Sequence, residues 1–115
     1  MYKNLIISES RKEVMVAFRS LPVSSIVMDS NCQLVDINYS AMELLKLKNS
    51  NYSREIDSII SDMTALPQIM GELLTGKDIY GQKTELKRTD GVQLQLTLNA
   101  VMLYGNPKLF LFQFF

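Results

Sequence analysis

The residues of this sequence that could do chemistry are few, and they lack the partners that enzymes and metal sites use. Cys32 is the only cysteine, and histidine is absent. Without an imidazole, neither a serine nor Cys32 has the usual base to activate it, and a metal would find only one thiol and scattered carboxylates. Asp57 lies two residues from Glu55 and five from Asp62, so a helix would not stack Asp57 with either. The sequence therefore predicts neither catalysis nor a metal site.

The bulk composition sets limits on the class of protein. The chain has 115 residues, 47% of them hydrophobic, which predicts one domain with a packed core. Twelve basic and twelve acidic residues cancel, so nothing attracts the chain to nucleic acid or to an anionic membrane. A single cysteine excludes an internal disulfide, and no apolar run approaches the roughly 20 residues needed to cross a bilayer. We expect a cytoplasmic location.

The first third of the chain predicts a helix followed by two short strands. Residues 9–20 have helical periodicity, with Val14, Phe18 and Leu21 on one apolar stripe. The helix ends before Pro22, because a residue preceding proline is displaced from the α region. Residues 24–29 and 33–37 are β-rich, and the polar residues between them favour a tight reversal, with Cys32 at its bend or at the start of the second strand.

The middle of the chain predicts three helices. Asn38 is a good helix cap, and Ser40 with Glu43 has the spacing of a capping box. Residues 49–65 are polar with a few apolar points, which indicates one short helix between loops. Residues 66–74 predict a further helix, with Pro67 in its first turn and Gly76 after its end.

The last third predicts three antiparallel strands. They span residues 78–87, 92–103 and 109–115, and the turn at residues 89–91 joins the first two. Apolar residues occupy the even positions from 92 to 102, so one face of the second strand is apolar. The third strand is apolar on both faces, and Phe110, Phe112 and Phe114 share one of them.

This order of elements resembles the PAS domain family. The stretch "LPVSSIVMDSNCQLVDINYSAMELL" is similar to the family's opening, in which a strand ends in Asp (here Asp29) and a second strand ends in Asn (here Asn38) before a helix. The stretch "ELKRTDGVQLQLTLNAVML" is similar to its later hairpin. The turn at residues 30–33 departs from the family by lacking a glycine. The resemblance implies an α+β fold: a five-stranded antiparallel sheet with short helices on one face, in residues 21–115, preceded by an N-terminal helix in residues 1–20.

The resemblance also bears on cofactors. The light-sensing flavin branch of the family carries its reactive cysteine in an Asn-Cys motif on a helix well after the second strand, whereas Asn31-Cys32 precedes that strand. Haem-binding relatives use a histidine, which this chain lacks. Neither flavin nor haem is therefore expected, and the identity of any ligand stays open.

The resemblance places a ligand pocket between the helices and the sheet. The methionines of this region are first of all core filler, although flexible thioethers can also wrap an apolar ligand. Asn38 is first of all a helix cap, and the alternative is a contact that reports ligand occupancy to the sheet. The residues expected to line the pocket are Met28, Asn38, Met42, Leu45, Met70, Leu96, Leu98 and Phe112. Val14, Phe18 and Leu21 are the expected dimer contacts.

The function expected from these observations is signal sensing without catalysis. Such a module would bind a small molecule, form a homodimer, or both, and regulate an effector such as a histidine kinase or a transcription regulator. The chain ends at Phe115 in an apolar strand, which favours an effector domain further along the same polypeptide. Three alternatives stay open: a ligand-free dimerisation scaffold, an adaptor of the longin or roadblock type, which strand order would distinguish, and an enzyme of unknown type.

Overall fold

The computed structural model describes residues 18–47 and 52–115, which form one antiparallel sheet and three helices. Residues 18–20 are helical and precede the sheet. Within the described residues, none of the helices is long and apolar enough to cross a membrane. The strands are β1 (Ser24–Asp29), β2 (Leu34–Ile37), β3 (Ile79–Lys87), β4 (Gln93–Gly105) and β5 (Lys108–Phe114), and the helices are α1 (Tyr39–Leu45), α2 (Tyr52–Ser61) and α3 (Leu66–Leu74).

The spatial order of the sheet is β2-β1-β5-β4-β3, so the last strand of the sequence lies at the centre. β5 pairs with β1 through Ile26 opposite Phe112, and with β4 through Ala100 opposite Phe112. Phe110, Phe112 and Phe114 are buried on the face that carries the helices. The alternate residues of β5 thus form part of the sheet side of the core, as the period-two pattern of the sequence predicts.

The three helices cover the inner face of the sheet with their apolar sides. Each amphipathic helix must bury its apolar stripe, and the inner face of the sheet offers the matching surface. The helical residues in the core cluster are Ala41, Leu45, Ile56, Ile59, Ile60, Leu66, Ile69, Met70 and Leu73.

The predicted α+β architecture is confirmed, and most element boundaries agree with the expectation. β1 and α3 have the expected bounds, and α2 is the short helix expected within residues 49–65. β4 extends to Gly105, beyond the expected end at residue 103, and its pairing with β5 shifts register between Met102 and Tyr104. Sequence periodicity does not reveal such an irregularity, because a bulge inserts one residue without changing the composition.

The expected capping box at the start of α1 is wrong. Asn38 is the N-cap, which puts Ser40 inside the helix rather than at its cap. The hydroxyl of Ser40 donates instead to the carbonyl oxygen of Pro22 at 2.8 Å. Of the three expected dimer contacts, Val14 lies outside the described residues, Phe18 is half-buried and Leu21 is exposed.

Candidate functional site

The amide side chain of Asn38 joins the first strand, the second strand and the first helix. Its Oδ1 accepts from the backbone N–H of Ser25 at 2.9 Å and from that of Ala41 at 3.0 Å. Its Nδ2 donates to the carbonyl oxygen of Val23 at 2.7 Å, and the residue has no exposed surface. The prediction that Asn38 caps α1 is confirmed. The same amide also holds the chain that leads into β1.

Seven of the eight residues expected to line a ligand pocket lie in or against the layer between the helices and the sheet, and the eighth, Asn38, is the cap described above. Met28, Leu45, Leu98 and Phe112 have no exposed surface, and Met70 on α3 is also buried. Two further members of the expected set, Met42 and Leu96, are half-buried and pack against this layer. Sequence reasoning therefore grouped residues that the fold does bring together. Their use by a ligand stays a proposal.

A separate hollow of about 400 Å³ lies beside the edge strand β3. Six of its seven lining residues are polar or charged, and the seventh, Leu96, is the one expected pocket residue that contributes to it. Sequence reasoning missed this hollow because its wall combines a loop residue with residues of two later strands, and no spacing pattern links them. The lining residues are Thr64, Lys83, Thr84, Glu85, Gln95, Leu96 and Thr97.

Thr64 ties the loop between α2 and α3 to β3. Its Oγ1 accepts from the backbone N–H of Glu85 at 3.0 Å, and its own N–H donates to the carbonyl oxygen of Glu85 at 3.4 Å. The hydroxyl of Thr84 donates to the carbonyl oxygen of Thr64 at 3.2 Å. Because β3 is at the edge of the sheet, these bonds satisfy backbone groups on the side that faces away from β4. The helical layer and the sheet edge are thereby coupled.

A polar cluster at the β3–β4 turn makes a second connection between helices and sheet. Thr89 Oγ1 donates to the carboxylate of Glu55 on α2 at 3.4 Å. Arg88 binds Asp90 through two hydrogen bonds, at 3.1 Å from Nε and 2.8 Å from Nη2. These bonds, and a further one from the N–H of Val92, hold the pKa of the Asp90 carboxyl below its usual value.

Cys32 lies in the β1–β2 turn rather than on a helix. Its φ is +62°, and its N–H donates to the carbonyl oxygen of Asp29 at 3.0 Å. Burial, and secondarily the negative charge of Asp29, raises the pKa of the Cys32 thiol. Since the thiolate is the reactive form, this environment makes Cys32 a weak nucleophile. Among residues 18–47 and 52–115, no group of three or more His, Cys, Asp or Glu residues could hold a metal ion.

The comparisons with known proteins identify the fold. No protein-family model matches the sequence, and no curated protein matches it. Solved structures do match: the PAS domain of nitrogen regulation protein NR(II) from Vibrio parahaemolyticus has a TM-score of 0.73 at 12% identity, over 89% of this chain and 95% of that one. A domain of the sensory box sensor histidine kinase/response regulator from Geobacter sulfurreducens gives 0.67 at 15% identity, over 90% and 91% of the two chains.

A third match is the LOV domain of the blue-light activated histidine kinase from Erythrobacter litoralis. Its TM-score is 0.68 at 14% identity, over 83% of this chain and 95% of that one. In each of these three comparisons the matched region covers most of both chains. The chain has the fold of PAS domains. At these identities the likeness concerns the fold alone.

Proposed function

We propose that this domain senses a signal by binding a small apolar molecule between its helices and its sheet, and relays the result through β5. The methionine-lined layer carries this proposal: Met28 on β1, Met42 on α1 and Met70 on α3 converge there from different elements. Methionine side chains are flexible and polarisable, so they can rearrange around a guest at low cost. Two of the matched structures are domains of histidine kinases, which supports a role in signalling.

The mechanism we propose is a population shift between two packings of the helical layer. Met28, Leu98 and Phe112 have no exposed surface, so a guest enters only when the helices move away from the sheet. A ligand that binds the opened arrangement better increases its population by its difference in affinity for the two states. The hydrogen bond between Thr64 and β3 would transmit the helix movement to β3, and the hydrogen bond between Glu55 and Thr89 would transmit it to the β3–β4 turn.

β5 is the strand best placed to transmit such a change. It lies between β1 and β4, and its inner residues Phe110, Phe112 and Phe114 face the helices. A change in the helical layer therefore acts on β5 from its face, while both neighbouring strands hold its edges. We propose that β5 leads into an effector domain such as a histidine kinase or transcription regulator, and that the domain works as a homodimer in the cytoplasm.

A thermal-shift screen of a metabolite library, combined with native mass spectrometry, tests the ligand proposal. A ligand present at 100 times its dissociation constant stabilises the folded state by about 2.7 kcal/mol, which is a readily measured rise in melting temperature. Met70→Ala should reduce the rise, because Met70 is buried in the layer. Leu74→Ala is the matched control, because Leu74 lies on the same helix but is exposed. The rival function is a dimerisation scaffold with a closed core. It would be favoured if native mass spectrometry gave the mass of the protein without a ligand and no compound raised the melting temperature.

The dimer proposal has its own test. Phe18 is half-buried and Leu21 is 39% exposed, so the residues that lead into β1 offer apolar surface to a partner. We expect sedimentation to give a dimer mass for the full chain and a monomer mass after residues 1–20 are deleted. A dimer that survives the deletion would rule out this segment as the contact.

A further inference from the structure

The carboxylate of Asp36 is held in an unusual way on the outer face of the sheet. Its Oδ1 accepts from the backbone N–H of Ile37 at 2.8 Å, and Arg19 Nε lies 3.7 Å from the same oxygen. The Asp36 side chain is only 11% exposed, whereas that of Arg19 is 49% exposed. The other oxygen, Oδ2, is buried and has no hydrogen-bond partner among the described residues.

This arrangement is an ion pair that is only partly formed. A buried carboxylate oxygen without a donor is unfavourable, because it has lost water and gained nothing in exchange. A guanidinium carries five N–H donors in a planar fork and commonly binds a carboxylate through two parallel hydrogen bonds. Arg19 offers one nitrogen at 3.7 Å, which exceeds ordinary hydrogen-bond length. A movement of Arg19 that brought a second N–H within hydrogen-bond distance of Oδ2 would supply a donor to that oxygen.

Hydrogen bonds hold Pro22 and Val23, which follow Arg19 closely in the chain. These bonds define where a movement of Arg19 would pivot. Ser40 Oγ donates to the carbonyl oxygen of Pro22 at 2.8 Å, and Asn38 Nδ2 donates to that of Val23 at 2.7 Å. Leu21 lies between Arg19 and these anchors, and its N–H donates to the carbonyl oxygen of Phe18 at a longer 3.3 Å. Any movement of the helical residues 18–20 that leaves these two bonds intact would therefore have its pivot near Leu21.

We propose that Arg19 and Asp36 form a releasable latch that sets the position of residues 18–20 relative to β2. In the closed position the guanidinium binds both carboxylate oxygens. In the open position the pair separates, and the carboxylate turns toward solvent. The latch goes beyond the proposed function because it needs no ligand. It gives the domain a second element that can change position. This element is the segment that leads into β1, whereas the first is β5.

The test compares Arg19→Gln and Asp36→Asn with the unmodified full chain by amide hydrogen exchange and urea denaturation. Both variants remove the ion pair, and the Asp36→Asn side chain keeps an oxygen that can accept from Ile37. We expect the Leu21 amide to exchange about two- to five-fold faster in each, the change that corresponds to a partly exposed ion pair. Amides in β4 and β5 should be unchanged. Arg19→Asp combined with Asp36→Arg should restore part of the protection.

Lys77→Gln is the matched control, because Lys77 and Glu72 form a pair of similar length, 3.6 Å, far from residue 36 in the sequence. It should leave exchange at Leu21 unaltered. Unchanged exchange at Leu21 in both latch variants would overturn the proposal. A uniform acceleration across the whole sheet would overturn it too, because the pair would then act only on global stability. Both outcomes can be reached whether or not the domain binds a ligand.

Discussion

The Oδ1 atom of Asn38 lies 2.9 Å from the backbone nitrogen of Ser25, thirteen residues earlier in the chain, and accepts its N–H. The same oxygen caps α1 by accepting from Ala41, so a single atom serves a strand and a helix. A local cap would need only the contact with Ala41. The hydrogen bond with Ser25 makes Asn38 a tertiary contact between β1 and the start of α1. Because Asn38 is completely buried, water cannot replace either hydrogen bond.

Asn38→Ala should destabilise the domain by about 2 to 4 kcal/mol. The loss combines a helix cap with buried backbone groups left without partners. Urea denaturation at constant pH measures the free energy of unfolding. Ser40→Ala is the control, because Ser40 makes one exposed hydrogen bond at the same corner and should cost only about 0.5 kcal/mol. Equal effects of the two substitutions would contradict the role assigned to Asn38.

Thr64→Val should destabilise the domain by about 1 kcal/mol and expose the edge of β3. Valine matches threonine in shape but cannot accept from the N–H of Glu85. The Glu85 amide should therefore exchange faster with solvent, while the amides of β5 keep their protection. Thr64→Ser retains the hydroxyl and should behave much more like the unmodified chain. If serine and valine accelerate exchange equally, the hydroxyl is not what holds the loop.

The Cys32 thiol should react slowly with iodoacetamide in the folded protein at neutral pH, compared with the same thiol in urea. Its raised pKa lowers the thiolate fraction. Asp29→Asn should speed the reaction by removing the nearby negative charge, while its side-chain oxygen can still accept from Asn31 and Gln33. Faster alkylation of the folded than of the unfolded chain would contradict the cause assigned here.

The same pKa shift predicts a loss of stability in alkaline solution. The unfolded thiol gives up its proton at a lower pH than the folded thiol, so the free energy of unfolding falls as the pH rises from the unfolded pKa toward the folded pKa. The contribution is absent at neutral pH, where both states keep the proton. Cys32→Ser should flatten this part of the pH profile, measured as the free energy of unfolding. An identical alkaline slope in the serine variant would count against the shift.

Asp90 should contribute stability at neutral pH that disappears in acid. Its folded pKa lies below the unfolded value, so the contribution is complete above the unfolded pKa and is lost as pH falls through the folded one. Arg88→Gln removes the main cause and should move the Asp90 pKa upward, as followed by NMR titration of its carboxyl carbon. Arg88→Lys keeps the charge without the planar fork and should give an intermediate value. An unmoved pKa in the glutamine variant would refute the assignment.

Local patterns were sufficient to predict most elements of this fold. The alternating strand at residues 92–102, Pro67 at the start of α3 and Asn38 before α1 each have a local physical cause, and the structure agrees with all three. The predicted capping box of Ser40 and Glu43 was wrong because Asn38 and Ser40, two residues apart, are both residue types that commonly cap helices. Burial and the bond to Ser25 selected Asn38, and neither can be derived from local spacing.

The candidate sites also contain a part that local patterns indicate and a part that depends on tertiary packing. Most residues of the expected pocket lie in one layer because apolar faces of predicted strands and helices must meet, while their role in binding a ligand stays a prediction. The half-formed pair of Arg19 and Asp36 and the tie at Thr64 were not foreseen, because each joins elements through atoms whose distance depends on the packed tertiary structure. No periodicity relates a loop threonine to the edge of a strand some twenty residues later.

The central position of β5 also has a consequence for synthesis on the ribosome. The hairpin of β1 with β2 and the hairpin of β3 with β4 emerge first, and β5 is the strand that joins them. Until it arrives, one side of β1 and one side of β4 stay open, with backbone groups ready to pair with any extended peptide. We therefore expect the nascent chain to be most open to pairing with other extended peptides in the interval before β5 is complete.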